Sequence, residues 1–139
     1  MTVNKKIKFE YQFIETYVAG IKLMGSEVKP IDNGGVSLVD SYCYFDNGEL
    51  FIKGMNITKS KVAYTHDPIR DRKLLMKKKE LRKLEKKLVK GLTIVPYKIF
   101  RNDKGLIKVE VVLAKGKKLY DKRNTLKDRD IKRDMDRSI

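Results

Sequence analysis

Along residues 107–113 apolar and polar side chains alternate, with Ile107, Val109, Val111 and Leu113 on one side and Lys108 and Glu110 among those opposite. That is the period of a strand with one face in a core. Residues 7–15 show the same period, Ile7, Phe9, Tyr11 and Phe13 sharing a side, and predict a first strand. From Val18 the spacing lengthens. Val18, Ile21, Met24 or Gly25, Val28 and Ile31 fall three and four apart, which predicts a helix stopped by Pro30 and the Asp-Asn-Gly-Gly run from Asp32.

Residues 36–45 and 49–55 flank Asp46-Asn47-Gly48, and Asn-Gly between apolar runs predicts a hairpin because both turn residues tolerate positive φ. Residues 56–66 are polar and read as a long exposed connection. Asp67 before Pro68 offers a cap acceptor and a preset φ, the start of a helix or turn. Residues 73–76 read as a short buried segment, and Leu81, Leu84 and Leu88 carry a helix over about 78–90, stopped by Gly91. A second hairpin, 92–100 with 106–114, turns at 102–105. Strands in pairs with interposed helices and a basic surface predict an α+β fold, mainly β: a small OB-like antiparallel barrel with two or three helices.

The pattern ends abruptly. Beyond Asp121 only Leu126, Ile131, Met135 and Ile139 are large and apolar, too few to offset the entropy of ordering that segment alone. We therefore expect a folded body over 1–120 and a flexible tail over 121–139. Asp128 with Lys132, Asp130 with Arg133 and Asp134 with Arg137 are helix-compatible pairs, so the tail is expected to be disordered when free and to fold on binding.

Charge adds a partner. The 139 residues carry 33 Lys and Arg against 18 Asp and Glu, a net of +15, which points to a polyanion. The tail's seven cations are nearly balanced by five aspartates, so most of the excess lies on the body. No long basic segment has the continuous apolar face an interfacial helix needs, and no membrane partner is expected. The start lacks the apolar run of a signal peptide and Cys43 has no second cysteine to pair with, so the expected location is the cytoplasm.

Between body and tail, Lys115, Lys117, Lys118, Lys122 and Arg123 surround Gly116 and Tyr120. Cations for phosphates, a glycine for close approach and an aromatic for base stacking suit an RNA contact. Other candidates are weaker. His66 beside Asp67 lacks a second His or a Cys pair for a metal cluster and reads as a turn histidine. Cys43 reads as a small strand residue. Leu75, in an apolar run, reads as core, and the lysines and arginines of residues 77–87 as the wet face of a helix.

Six stretches form an ordered set: GIKLMGSEVK at 20–29, DSY at 40–42, NGELF at 47–51, HDPIRDRKLL at 66–75, GLTIVP at 91–96 and AKGKKLYDKR at 114–123. Together the chain resembles the SsrA-binding protein family, also called small protein B. The resemblance implies an OB-like barrel on the tRNA-like domain of transfer-messenger RNA, delivering it to stalled ribosomes for trans-translation. It also implies a tail that enters the small-subunit decoding centre and mRNA channel and becomes helical there. By position it implies RNA contacts at Asn4, Ala19, Gly20 and Leu75. It implies decoding-site or tail contacts at Lys115, Gly116, Lys117, Lys118, Tyr120, Asp121, Lys122, Arg123, Lys127, Arg129, Ile131, Lys132, Arg133 and Arg137. It implies no catalytic residue, metal or cofactor, and no DNA partner. Val18 stands where the family commonly has Glu, Pro30 where Ser is common, and Asn124 where Glu is frequent.

Two other functions fit the residues: a ribosomal or ribosome-assembly protein that binds ribosomal RNA, and an RNA-processing enzyme holding magnesium at Asp32, Asp40 or Asp46.

Overall fold

The computed structural model describes residues 1–59 and 66–116. In chain order the elements are β1 (Thr2–Val3), α1 (Ile7–Glu10), β2 (Tyr11–Ile21), α2 (Gly25–Asp32), β3 (Val36–Ser37) and β4 (Tyr42–Asp46). There follow β5 (Glu49–Lys53), β6 (Asn56–Ile57), β7 (Arg72–Leu75), α3 (Lys78–Lys87), β8 (Leu92–Arg101) and β9 (Ile107–Gly116). Every pairing is antiparallel. The strands run in the order β1-β8-β4-β5-β7-β2-β9, and β9 also pairs with β8, so the sheet closes on itself. Closure leaves few open edges. This is the OB-like α+β barrel the alternation predicts.

Both predicted hairpins are present. Asn47 and Gly48 take φ of 53° and 79°, as a turn of two left-handed residues requires, and close Asp46 onto Glu49. The second pairs Arg101 with Ile107 and runs back to Leu92 opposite Lys115. Inward side chains from these strands, among them Leu50, Ile52, Ile94, Ile99, Val109 and Val111, are fully buried. Leu84 of α3 enters the same core, with Leu81 and Leu88 packed beside it.

Four expectations are corrected. Residues 7–10 are a single helical turn that buries Ile7 and leaves Phe9 79% exposed. Four residues are too few to display a 3.6 period against an alternating one. The strand then continues to Ile21, through the region predicted as helix. Val18 stands outward there while Ala19 and Ile21 enter the core, and the helix begins only at Gly25, with Pro30 inside it. Residues 73–76 are only partly buried: Leu74 is core, but Leu75 is exposed. The expected exposed connection is partly structured, since Asn56 and Ile57 pair with Ser37 and Val36 and Ile57 is buried.

The histidine and the two arginines nearby are structural rather than surface features. His66 is buried; Nε2 donates to the Ile57 carbonyl oxygen at 2.9 Å, leaving Nδ1 to accept from the Ser26 hydroxyl at 2.9 Å. Asp67 caps a turn, its carboxylate accepting from the Ile69 N–H at 3.0 Å. Arg72 is wholly buried and donates through Nε to Glu27 Oε2 at 2.6 Å, through Nη1 to the Met55 carbonyl at 2.9 Å and through Nη2 to the Pro68 carbonyl at 3.2 Å. Arg70 donates to the other Glu27 oxygen at 2.6 Å, and the Met24 N–H to that same oxygen at 2.8 Å.

Burial alone pushes the Glu27 carboxyl pKa up, but Arg70, Arg72 and the Met24 N–H favour the anion and hold it below its ordinary 4.5. A folded-state pKa below the unfolded one contributes stability that is complete above about pH 4.5 and is lost as pH falls through the lowered value. Urea titrations should therefore show stability declining on acidification, with Glu27→Gln flattening that dependence. Glu27→Ala should cost about 3–5 kcal/mol, because Arg72 would remain buried without its counter-ion. An unchanged urea midpoint in Glu27→Ala would contradict the clasp's role.

Candidate nucleic-acid interface

Strand β9 shows how one face of the barrel wall is left open. Val109, Val111 and Leu113 point into the main core, so Lys108, Glu110, Val112 and Ala114 face outward. The register between β2 and β9 shifts between Phe13 and Glu15, a bulge that changes which β2 residues share that outward side. On one side of the bulge Phe13 stands opposite Ala114 and Tyr11 opposite Gly116. With Ile7 of α1, Val95 and Tyr97 they cover Val112 and Ala114 in a second small core. Phe13 meets Tyr97 edge-on at 5.4 Å between centroids, and Lys8 Nζ lies 5.2 Å from the Tyr97 ring centroid. The hydrogen bond with Tyr97 leads the causes that raise the Lys8 pKa.

On the other side of the bulge nothing comparable covers the wall among the described residues. Val18 pairs with Glu110, and Gly20 with both Lys108 and Leu75. The outward face therefore runs from Leu75 on β7, across Gly20 and Val18, to Lys108 and Glu110 and on to Lys98 and Phe100 of β8. Leu75 is 48% exposed and Val18 53%. Gly20 has no positive φ, so its backbone does not demand glycine. A Cβ there would stand 3.4 Å from the Leu75 Cβ and 3.6 Å from Lys108 Nζ, ordinary contacts within this surface. Gly20 is itself buried, and the side chains that close over it, Leu75 and Lys108, are what the surface presents there. Beside Leu75 a groove of about 530 Å³ continues between the β4–β5 turn and α3, with Leu81, Lys78 and Arg82 among its lining.

The positions singled out in the sequence divide. Gly20 and Leu75 are direct cross-strand neighbours on the open face. Ala19 points into the core and is 1% exposed, so it presents no surface to an RNA. Asn4 is buried, its Nδ2 donating to the Leu38 carbonyl at 3.0 Å and its N–H to the Tyr97 carbonyl at 2.6 Å, which anchors β1 to the barrel. Lys115 and Gly116 are exposed at the end of β9. Eight residues separate Gly116 from Lys108, roughly 26 Å along a strand. The expectations for Lys117, Lys118, Tyr120, Asp121, Lys122 and Arg123, for tail positions 127–137 and for the body–tail boundary lie outside the described residues.

Lys108, Glu110 and Lys98 complete the open face and were not singled out from the sequence. The alternation of 107–113 already put Lys108 and Glu110 on the solvent side; what it lacked was their neighbours on β2 and β7.

The helix α3 adds exposed cations at Lys78, Lys79, Arg82, Lys83 and Lys86, while Lys87 is held to Glu15 of β2 at 2.6 Å. That pairing lowers the Glu15 pKa, chiefly by the hydrogen bond from Lys87.

The alternative chemistries find little support in the side chains named for them. Asp32 accepts two hydrogen bonds from Arg101, both at 2.7 Å. Among the described residues no group of three His, Cys, Asp or Glu side chains gathers as a metal site. Cys43 is buried in the core, and burial pushes its thiol pKa up. Among the described residues no helix is long and apolar enough to cross a membrane.

The chain matches a family model described as "SmpB protein" over residues 1–139. An SsrA-binding protein of Phocaeicola vulgatus is 54% identical over 137 residues, covering 96% of this chain and 91% of its own. That of Christiangramia forsetii is 50% identical over 137 residues, covering 96% and 87%. A solved structure described as "tmRNA-SmpB: a journey to the center of the bacterial ribosome" superposes with a TM-score of 0.71 at 44% identity, covering 84% of each chain. With matches of this extent in sequence and in fold, the chain belongs to the SmpB family of SsrA-binding proteins.

Proposed function

We propose that this protein is a non-enzymatic, cytoplasmic RNA-binding adaptor. It binds the tRNA-like domain of transfer-messenger RNA and helps deliver it to stalled ribosomes in trans-translation. The observation that carries the reading for this chain is the open barrel face, where Gly20 lies between an exposed Leu75 and Lys108. Such a face suits a structured RNA: Lys108 for a phosphate and Leu75 for the flat surface of an unstacked base. Family membership and the large positive charge support the same partner.

The end of β9 leads into the second part of the proposal. Lys115, Gly116 and the residues that follow are assigned to the ribosome, with Tyr120, Lys122 and Arg123 at the decoding centre and the tail in the mRNA channel. The separation along β9 lets one molecule hold an RNA on its wall while its C-terminal segment works elsewhere.

Capturing the protein from its native cells at moderate salt and sequencing the RNA that accompanies it tests the reading as a whole. One enriched RNA with an alanine-tRNA-like end and an internal reading frame is expected; ribosomal RNA without it would favour a ribosomal protein instead. At the wall, Gly20→Ala should leave the melting temperature unchanged or slightly raised, since alanine is favoured over glycine within a strand by about 0.5–1 kcal/mol. The same substitution should weaken binding of the tRNA-like domain, because the added methyl presses on Leu75 and Lys108, 3.4 and 3.6 Å away, and shifts the two side chains offered to the RNA. Tyr120→Ala, or replacement of Lys122 with Arg123, should leave folding and RNA affinity near wild type and abolish rescue in a reconstituted stalled-ribosome assay. Full rescue by those variants would remove the decoding-centre assignment.

A further inference from the structure

The open face contains one group that a phosphate-binding surface should avoid. Glu110 faces outward between Lys108 and Val112, opposite Val18 on one neighbouring strand and Lys98 on the other. Its side chain is 20% exposed, and the nearest cation, Lys98 Nζ, lies 3.7 Å away, an ion pair longer than a hydrogen bond. Among the described residues no hydrogen bond to its carboxylate accompanies that pair. Lys98 is also drawn toward the Phe100 ring, at 5.6 Å from its centroid.

An ionised carboxylate only accepts hydrogen bonds, so it repels phosphate and attracts N–H and O–H donors. In RNA the donors are ribose 2′-hydroxyls and the Watson–Crick edges of unpaired bases, and guanine offers two adjacent N–H groups there. Lys98 and Lys108 flank the carboxylate and can take the phosphates on either side. Val18 across the strand supplies an exposed apolar surface for a base to lie on.

We infer that Glu110 is a specificity-determining residue of this interface, accepting hydrogen bonds from the donor edge of an unpaired base, with guanine as the best fit. The inference rests on the RNA-binding reading of this face. It predicts opposite signs for cognate and non-cognate RNA. Removing one negative charge from a cationic surface strengthens attraction to any polyanion. Removing the acceptor of a base contact weakens only the RNA that makes it.

The test measures binding of full-length wild type, Glu110→Gln and Glu110→Ala to two probes at one salt concentration: the transcribed tRNA-like domain and an oligouridylate of similar length. Glu110→Gln keeps the side-chain volume, and thermal melting of each variant checks the fold. Both variants are expected to bind the tRNA-like domain about tenfold or more weakly, the size of a lost base contact, and to bind oligouridylate as tightly as wild type or more tightly. Because Val18 is the cross-strand neighbour, Val18→Glu in the Glu110→Gln background returns a carboxylate to the same face and should recover part of the cognate affinity. If both variants bind both RNAs equally well or more tightly, Glu110 merely restrains Lys98 and the inference falls. If wild type does not prefer the tRNA-like domain over oligouridylate, the RNA-binding reading itself fails, and the inference with it.

Discussion

The barrel's open wall depends on a charge buried beneath the neighbouring segments. Glu27, on α2, is fully enclosed and shared by Arg70 and Arg72, and Arg72 spends its remaining donors on the carbonyls of Met55, Pro68 and their neighbours. One side chain thus ties α2 to the corner after β5, to the turn at Pro68 and to the start of β7. The pair is a poor source of net stability, since both ions lose their water. Its value lies in geometry: an arginine fork admits few alternatives once all its donors are placed. His66, held between Ser26 and Ile57, locks the same α2 to β6 with a hydrogen bond at each ring nitrogen.

That clasp reaches the open face through strand register. Arg72 and Leu75 are the first and last residues of β7; with Arg72 fixed, Leu75 must fall opposite Gly20. A one-residue slip would turn Leu75 into the core and Leu74 outward. The bulge at Phe13 and Glu15 acts at the other end of the wall, allowing Tyr11 and Phe13 to cover Val112 and Ala114 while Val18 stays open beside Glu110. Covered and open regions of one continuous strand follow from that single extra residue.

Two of the stretches by which the chain resembles its family, GIKLMGSEVK and HDPIRDRKLL, meet in space here. Their polar members, Ser26, Glu27, His66, Arg70 and Arg72, build the clasp, while Gly20 and Leu75, at their outer ends, form the surface. Part of what looks in sequence like a functional signature is the support that positions it.

The sequence by itself determined the class of fold, both main hairpins, the helix α3 and a charge suited to a polyanion, because each rests on local information: alternation, Asn-Gly at a turn, leucines three and four apart, and net charge. It misread residues 7–10, where a four-residue turn mimics alternation, and 18–21, where Val18 and Ile21 happen to keep helical spacing along what is a strand. Only tertiary structure decided that Leu75 is surface and Leu74 core, since an apolar run has no inside or outside until a neighbouring strand sets its register. Only tertiary structure decided that Asn4 and His66 are buried and that Glu27 carries two arginines from more than forty residues away. The outward placement of Lys108 and Glu110 was legible in their alternation. Their meaning was not, because it comes from Val18, Gly20 and Lys98, which closure of the barrel brings alongside.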